Sequence, residues 1–442
     1  MQDEETLIQD EASSPHRASP PRPPASAVSP DTSRPVGAWT RRMVVVALLV
    51  AAVNLRPAVT SLGPVLEEVR RGLGMSSTVA GLLTSVPMLC FAVFGVTAPR
   101  LERRFGPGAV VFAGMCALTA GLLVRPFADS TPTFLAASAL SLAGLAIANV
   151  MMPVIVKHYF PDRVGTMTGL YSMGISIGTG TAAAATAPLF NALGGDWRLA
   201  LGAWALPAAL TIPCWIPLIR DRTGRAPALL GPAANRVVRP VPVLGPAPGS
   251  GRLNRSRTAW AMAVYFGLQS SEIYCIMGWL PQIFRDARVS SDTAGLLLAV
   301  SMAVSVPVSL FLPALAARMR SQGSLAAALA ASGLFGYAGL WLAPAGLPWL
   351  WAFLIGVANC SFPLALTMIG MRARSDHGVV RLSAFAQCTG YLLSIPGPIL
   401  VGALYQHSGG WSAPIAFMAA LLVPQTFAGL LAGRDRQIED EI

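Results

Sequence analysis

The stretch Asn54-Leu55-Arg56-Pro57 lies near the middle of the first long apolar run of the chain, residues 43–66. An arginine at the centre of a membrane-length segment costs about 2.5–3.5 kcal/mol on insertion scales, so it needs a partner, a cavity or a function. Pro57 removes a backbone N–H and frees carbonyl groups, which a bundle interior tolerates and a lipid-facing surface does not. The stretch therefore predicts a helical membrane bundle with Arg56 in its interior. There Arg56 either binds a solute or holds neighbouring helices together through their carbonyl groups.

The composition is that of a membrane protein. Apolar residues make up 54% of the 442 positions and charged residues 12%, whereas a soluble chain averages about 25% charged. The mean hydropathy is +0.57. A net charge of +11 would suggest nucleic acid in a soluble protein, but here the basic residues lie between apolar runs, as membrane topology requires. We therefore expect a lipid bilayer and no nucleic acid as partner.

Twelve apolar runs follow one another, each near the roughly 20 residues that a spanning helix needs. They cover residues 43–66, 78–98, 107–127, 133–156, 165–190, 198–219, 259–283, 292–315, 324–343, 347–370, 380–402 and 411–432. The prediction is an all-α membrane protein with twelve transmembrane helices in two pseudo-symmetric six-helix bundles. All six cysteines lie within these runs without a Cys-x-x-Cys pair, so we expect no disulfide framework, metal site or cofactor.

The segments between the runs define the domain organisation. Residues 1–38 contain seven prolines between Pro15 and Pro35 and are predicted to be a disordered tail. Residues 220–258 hold eight arginines against one acid, Asp221, and are predicted to be a linker. The N-terminal bundle then covers residues 39–219, the C-terminal bundle 259–433, and a short tail 434–442.

The basic residues also predict the orientation. Of the 32 lysines and arginines, six fall in the predicted outer loops: Arg70, Arg71, Arg125, Arg198, Arg285 and Arg288. Nearly all the others lie on the inner side, which is the bias of cytoplasmic loops. We therefore expect a multi-pass protein of the cell membrane with both termini in the cytoplasm.

The two halves contain related motifs. Asn149-Val-Met-Met-Pro153 in the fourth run recurs as Asn359-Cys-Ser-Phe-Pro363 in the tenth, and a basic inner loop follows each. Two repeated six-helix halves with a site near the midplane between them are typical of alternating-access transporters.

Glu272 is the only acid well inside a predicted span. If Pro64 and Pro281 are equivalent positions, Leu55 aligns with Glu272, so Arg56 and Glu272 lie at similar depth, one in each half. Three interpretations remain open for Glu272. It couples transport to protons, it takes part in solute recognition, or it forms a structural ion pair, which often adds little net stability.

Polar residues inside the apolar runs are the remaining candidates for a solute site, although hydrogen bonding between helices would also explain most of them. With Arg56, the predicted substrate-binding residues are Asn54, Asn149, Tyr171, Gln269, Tyr274, Asn359 and Gln387. The fifth run also carries glycines at small-xxx-small spacing, which predicts close helix contact without a ligand. These are Gly165, Gly169, Gly174 and Gly178.

Several motifs resemble the cyanate permease/2-nitroimidazole transporter family of the major facilitator superfamily. They are Asn54-Leu-Arg-Pro-Ala-Val-Thr-Ser-Leu-Gly-Pro64, Ala148-Asn-Val-Met-Met-Pro153, Phe160-Pro-Asp-Arg-Val-Gly165, Thr168-Gly-Leu-Tyr-Ser172, Trp279-Leu-Pro281 and Phe362-Pro-Leu-Ala-Leu-Thr-Met-Ile-Gly370. The likeness runs from about residue 43 to 432. It implies twelve helices and secondary transport of a small anionic or polar heterocyclic solute by a monomer.

The resemblance also implies a gate at the inner ends of the helices. The superfamily's loop between the second and third helices usually has the pattern Gly-x-Leu-Ala-Asp-Arg-x-Gly, whereas this chain has Pro99-Arg-Leu-Glu-Arg-Arg-Phe-Gly106. Arg103 therefore stands where an acid is expected, and Glu102 is the candidate to replace it. The predicted gating residues are Glu102, Arg103, Arg104, Arg163 and Arg318. Glu272 also departs from the family, whose seventh helix we expect to be neutral there.

Secondary transport, with protons as the expected coupling ion, is the leading prediction, and efflux of a drug or metabolite by the same fold is the alternative. A membrane-embedded enzyme is disfavoured because no histidine–acid cluster lies in the spans. No Gly-x-x-x-x-Gly-Lys-Ser/Thr motif occurs, which argues against ATP coupling on this chain. A receptor would not need mirrored polar positions in both halves.

Overall fold

A computed structural model describes residues 38–160, 163–219 and 253–441. Nearly all of the predicted N-terminal tail and most of the predicted linker lie outside these residues. Within them the chain is helical and contains no β-strand. The α-helices in chain order are α1 (Ala38–Asn54), α2 (Pro57–Thr60), α3 (Leu66–Gly72), α4 (Ser77–Phe105), α5 (Pro107–Val124), α6 (Thr131–Tyr159), α7 (Val164–Ala192), α8 (Trp197–Gly202), α9 (Ala205–Ala209), α10 (Ile212–Ile219), α11 (Arg257–Asp286), α12 (Ser291–Ala303), α13 (Ser305–Arg318), α14 (Gly323–Leu342), α15 (Pro348–Ala358), α16 (Ser361–Met371), α17 (Asp376–Ser394), α18 (Pro396–Ser408) and α19 (Ser412–Ala432).

Consecutive helices combine into membrane spans. Spans 1 to 12 are α1–α3, α4, α5, α6, α7, α8–α10, α11, α12–α13, α14, α15–α16, α17–α18 and α19. Ten of them contain a segment long and apolar enough to cross a bilayer. The other two, α7 and α11, have 29 and 30 residues. At about 1.5 Å per residue both exceed the roughly 30 Å hydrocarbon core, so they are long enough but more polar. The predicted fold class is confirmed.

The spans contact one another across the middle of the molecule. We refer to spans 1–6 as the N bundle and to spans 7–12 as the C bundle. Between the bundles, α4 packs against α17 and α18, α7 packs against α12, and α11 packs against span 1. The polar helices α7 and α11 thus both take part in the interface between the bundles.

Close packing within the N bundle depends on glycine. A Cβ atom on Gly178 would lie 1.9 Å from the carbonyl oxygen of Val53, and one on Gly174 would lie 3.1 Å from the Cβ atom of Ala52. Span 5 therefore approaches span 1 backbone to backbone at these positions. The prediction of close helix contact is confirmed for Gly174 and Gly178. Around Gly169, by contrast, no atom lies within 4 Å of a built Cβ.

Span 1 is broken at the motif that opened the sequence analysis. Helix α1 ends at Asn54, and α2 begins at Pro57 with Arg56 as its N-cap. The backbone N–H groups of Val59 and Thr60 both donate to the Arg56 carbonyl oxygen, at 2.9 and 3.0 Å. Because proline favours the first helical position and has no N–H to satisfy, Pro57 restarts the helix here. The break places the Arg56 side chain at the middle of the span.

We call the end of the bundles that carries residues 60–80 and 282–292 the distal end, and the opposite one, near Ala38 and Glu441, the terminal end. The described side-chain hydrogen bonds and ion pairs that join one bundle to the other, to side chains or to backbone carbonyl groups, lie in the distal half. They join Arg285 to Glu68 and Pro64, Thr78 to Gln406, Asn191 to Asp292, and Ser85 to Ile395.

Residues 434–441 pack on the terminal end of the C bundle. Glu441 accepts hydrogen bonds from the Ser256 hydroxyl at 2.6 Å and from the backbone N–H of Thr258 at 3.0 Å. Arg374 forms an ion pair with Asp440 at 2.9 Å, and Ile438 is buried. This segment therefore ties the start of α11 to the loop between spans 10 and 11.

Candidate functional site

Arg56 lies half-buried at the interface between the bundles. Its guanidinium group lies close enough for its charge to act on the Tyr274 and Tyr391 hydroxyls. Tyr274 belongs to span 7 and Tyr391 to span 11, so an N-bundle cation meets two C-bundle phenols. None of the described ion pairs includes Arg56. A guanidinium without a carboxylate keeps donors for a ligand.

Two aromatic rings pack against Tyr391. Phe91 of span 2 stacks on Tyr391, with ring centroids 5.1 Å apart and planes inclined by 18°. Phe266 of span 7 meets the same Tyr391 ring edge-on, with centroids 5.1 Å apart. Flat aromatic faces next to a planar cation suit a small, conjugated, electron-rich solute, because the rings contact its faces while the guanidinium donates to its polar edge.

Glu272 lies in a different place, inside the C bundle. It is buried, and one carboxylate oxygen, Oε2, accepts a hydrogen bond from the Tyr337 hydroxyl of α14. The other oxygen, Oε1, has no hydrogen-bond partner among the described residues. A small cavity next to it has room for about one water molecule. We call it the C-bundle chamber. Its polar lining comprises Gln269, Glu272, Tyr337, Asn359, Ser361 and Gln425.

Arg56 and Glu272 are therefore not brought together, although both lie near the middle of their spans. The reason is helical geometry. Glu272 and Tyr274 are two positions apart on α11, which places them about 200° apart around the helix axis. Since Tyr274 faces Arg56 at the interface, Glu272 faces away from it. The alignment of Pro64 with Pro281 predicted depth along the helix, but it carried no information on the direction of the side chain.

The other predicted substrate-binding residues separate into three groups. Asn54 and Gln387 hydrogen-bond within their own helices, to the Val50 carbonyl oxygen at 2.9 Å and to the Ser383 hydroxyl at 2.7 Å. Gln269 and Asn359 line the C-bundle chamber instead of the interface. Asn149 and Tyr171 are half-buried on α6 and α7, and no side-chain hydrogen bond is described for either. Only Arg56 and Tyr274 meet at the interface site.

Three residues that the sequence analysis did not single out contribute to these sites: Tyr391, Tyr337 and Arg125. Arg125 was assigned to an outer loop, but it is 2% exposed. Its Nη1 donates to the Ala58 carbonyl oxygen at 3.2 Å, and its guanidinium lies 5.1 Å from the centroid of the Phe134 ring. Arg125 also lines a small cavity that Tyr274 lines too. The signal for burial was present, because Arg125 falls inside the apolar run 107–127.

Comparison with known proteins decides the family. Residues 48–357 match the family model of the Major Facilitator Superfamily. The chain belongs to this superfamily. Among relatives, this transporter is 34% identical over 397 residues to the uncharacterized transporter YycB of Bacillus subtilis, with 89% of this chain and 94% of that protein covered. It is 31% identical to the 2-nitroimidazole transporter of Escherichia coli (90% and 97% covered) and 28% identical to the cyanate transport protein CynX of Escherichia coli (85% and 93%).

Solved structures agree on the fold of this transporter. The crystal structure of the D-xylose-proton symporter superposes with a TM-score of 0.66 at 15% identity and covers 90% of this chain and all of the other. At that identity the likeness concerns the fold alone. The chain is thus a multi-pass membrane transporter of a small solute and not an enzyme, as the sequence predicted.

The transporter is closed at the distal end. Arg285 of span 7 donates from Nη1 to Glu68 at 3.0 Å and to the Pro64 carbonyl oxygen at 3.1 Å, and a second guanidinium nitrogen contacts the other Glu68 oxygen. The Thr78 hydroxyl also donates to Gln406 at 2.9 Å. These bonds join span 1 to span 7 and span 2 to span 11. A solute at Arg56 is therefore separated from the distal side.

The predicted gating residues lie at the terminal end. Glu102 is half-buried, and Arg104, Arg163 and Arg318 are exposed. The side chain of Arg103 lies outside the part of the chain that is described. None of the described ion pairs includes Glu102, Arg104, Arg163 or Arg318. The distal end is closed by hydrogen bonds and an ion pair between the bundles, whereas no ion pair is described at these predicted gating residues.

Proposed function

We propose that this transporter moves a small, planar, anionic or electron-rich solute through the interface between its bundles, with Arg56 as the principal binding residue. One observation carries the proposal: a half-buried arginine lies between the bundles without a carboxylate partner among the described residues, and its charge acts on Tyr274. The names of two relatives fit such a solute, because cyanate is a linear anion and a 2-nitroimidazole is a planar, polar heterocycle.

In this proposal the guanidinium group binds the electron-rich edge of the solute. Its planar fork can donate two parallel hydrogen bonds, and charge-assisted bonds are stronger than neutral ones at a site of low dielectric constant. Tyr274 and the stacked Phe91–Tyr391 pair contact the faces of the solute. Because Tyr274 and Tyr391 belong to the C bundle, a solute bound to Arg56 contacts both bundles, as alternating access requires.

The proposed orientation has both termini in the cytoplasm, following the distribution of basic residues. The terminal end then faces the cytoplasm, and a transporter closed at the distal end is inward-facing. The protein acts as a monomer in this proposal. Glu102, Arg104, Arg163 and Arg318 are candidates to form the cytoplasmic gate when the bundles close at that end.

We further propose that a proton drives transport and that Glu272 carries it. Glu272 is buried and unpaired by any described cation, and a buried carboxylate in that situation is favoured in its protonated form. Since Glu272 and Tyr274 lie on opposite faces of α11, the proton and the solute act on the same helix without contact. Coupling then proceeds through movement of α11, and not through competition for Arg56.

Uptake into proteoliposomes tests the proposal. Cyanate, nitrite, 2-nitroimidazole and small carboxylates are offered with and without an imposed pH gradient. We expect Arg56→Lys to lose most of the uptake of the accepted solute and to fold normally, because an ammonium group cannot reproduce the bidentate fork. Arg71→Lys is the matched control, since the Arg71 side chain is 77% exposed at the distal end.

Two results would contradict the proposal. Normal uptake by a correctly inserted Arg56→Ala protein would exclude Arg56 as the principal binding residue. Gradient-driven accumulation by Glu272→Gln equal to that of the unmodified protein would exclude Glu272 as the proton carrier. In the proposed mechanism Glu272→Gln loses accumulation and keeps counterflow exchange of the solute.

A further inference from the structure

The C-bundle chamber contains three buried polar atoms without a partner among the described residues. They are Oε1 of Glu272, Nδ2 of Asn359 and Oε1 of Gln425. The three side chains are 5%, 7% and 2% exposed, and all three line the same cavity. A buried polar atom without a hydrogen bond destabilises the fold, so three such atoms around one water-sized space indicate a ligand.

The charge balance of the chamber restricts that ligand. Glu272 is the only charged side chain in its described lining. The titratable neighbours are Tyr337 on α14, which already donates to Glu272, and Cys275 on α11. Span 10 and α19 contribute uncharged groups, Asn359 and Gln425 among them. An ionised Glu272 therefore has no described counter-charge within the bundle, and a positive ligand would supply one.

The donor atoms of the chamber are oxygens. Glu272 and Gln425 each present an unpartnered oxygen, and the Asn359 carboxamide presents a third when its amide group is flipped. The Ser361 hydroxyl, which accepts from Gln425 at 3.3 Å, keeps a lone pair directed elsewhere. Carboxylate, carbonyl and hydroxyl oxygens are the ligands of hard cations.

Size and charge together favour a monovalent ion. The space holds about one water molecule, and one carboxylate balances one positive charge. Ca²⁺ takes six to eight oxygen ligands and Mg²⁺ retains several waters, so neither suits this cavity. We propose that the C-bundle chamber binds Na⁺, with Glu272, Gln425 and Asn359 as the principal ligands.

The chamber also lies between two membrane spans that a bound ion would connect. Asn359 stands between α15 and α16, at the break of span 10, and Glu272 stands near the middle of α11. An ion held by both residues links span 7 to the break of span 10. Na⁺ binding in the chamber depends neither on the proposed proton role of Glu272 nor on the solute at Arg56.

Thermal unfolding of the purified full chain tests Na⁺ binding. The melting temperature is measured in NaCl, KCl and choline chloride of equal ionic strength. We expect a saturable rise with Na⁺ alone, because a ligand that binds only the folded state stabilises it.

Variants separate the chamber from general salt effects. Glu272→Gln should abolish the Na⁺ shift. Gln425→Leu should raise the Na⁺ concentration for half-saturation at least about tenfold, because it removes one ligand of a charged group. Asp129→Asn is the matched control, since the Asp129 side chain is 96% exposed, and its Na⁺ shift should equal that of the unmodified protein.

The outcomes distinguish this inference from the proposed function. A Na⁺ shift that persists in Glu272→Gln, or no shift at any Na⁺ concentration in the unmodified protein, would overturn Na⁺ binding. If Glu272→Gln loses pH-driven accumulation while the unmodified protein shows no Na⁺ shift, the proton role stands and the Na⁺ site falls. If Na⁺ binds through Glu272 but accumulation is unaffected by Glu272→Gln, the Na⁺ site stands and the proton role falls.

Discussion

Glu68→Gln should weaken the distal closure of the transporter. In the structure Arg285 binds both Glu68 oxygens and the Pro64 carbonyl oxygen, so this one guanidinium joins span 7 to span 1 at two points. The side chains of Arg285 and Glu68 are 22% and 19% exposed, so solvent screens their interaction only in part. The substitution removes the negative charge and one of the two acceptors, while the shape of the side chain is kept.

The expected size of the effect follows from that exposure. A hydrogen bond to a charged group contributes about 1.5–3 kcal/mol when buried, whereas an exposed ion pair contributes about 0–1 kcal/mol. For this partly exposed pair we expect a loss of about 1–2 kcal/mol in the distally closed state. The ratio of distally open to closed molecules should then rise about 5- to 30-fold.

Chemical labelling from the distal side measures that ratio. Thr84→Cys, in a background whose six cysteines are replaced by alanine, places a thiol in the cavity that Arg125 lines. A membrane-impermeant maleimide should label it about 5- to 30-fold faster in Glu68→Gln if labelling follows the open population. Arg71→Gln is the control, because the Arg71–Glu67 pair lies within one bundle. An unchanged rate in Glu68→Gln, or an equal rise in the control, would refute the reasoning.

Two further predictions concern packing and pH. Gly178→Ala should destabilise the protein by at least about 1–3 kcal/mol, because its Cβ atom would overlap the Val53 carbonyl oxygen. Gly180→Ala is the control and should leave stability unchanged, because no atom lies within 4 Å of its Cβ position. The melting temperatures of the two variants test this prediction. Burial alone would raise the pKa of Glu441, but hydrogen bonds from Ser256 and Thr258 outweigh it and lower the pKa below 4.5. The hydrogen bonds of Glu441 to Ser256 and Thr258 should therefore persist above pH 4.5 and be lost as the pH falls through the lowered pKa. Pepsin should release residues 434–441 from the unmodified protein only below the lowered pKa, but from Glu441→Gln at every pH tested.

The broad architecture was predictable because it depends on properties that a sequence carries directly. Membrane-length apolar runs, their interruption by basic segments and the Arg56-Pro57 break are all local, and the structure has a helix boundary at that break. Gly178 is similar, since small residues at a helix contact act through their own size. Each of these features follows from a few neighbouring residues.

The sites were only partly predictable because they depend on the direction of side chains. Glu272 and Tyr274 differ by two positions and lie at nearly the same depth, yet one faces the chamber and the other faces Arg56. Tyr391 gave no signal of its own, since a tyrosine within an apolar run is common and its role follows from which helix packs beside it. Arg125 was missed because a charge at the end of a run resembles a loop residue, whereas the Ala58 carbonyl oxygen and the Phe134 ring make its burial tolerable.

The contact between Glu441 and the start of α11 has a consequence for the order of events during biosynthesis. The carboxylate caps the first turn of α11 through Thr258, but the two residues are 183 positions apart in the chain. A ribosome that adds about 5–20 residues per second needs about 10–40 s to cover that distance. During this interval the first turn of α11 has only its local N-cap, the Ser256 hydroxyl, which accepts a hydrogen bond from the Ala259 N–H at 3.0 Å. The second half of the transporter can therefore reach its final form only after the twelfth span has left the ribosome.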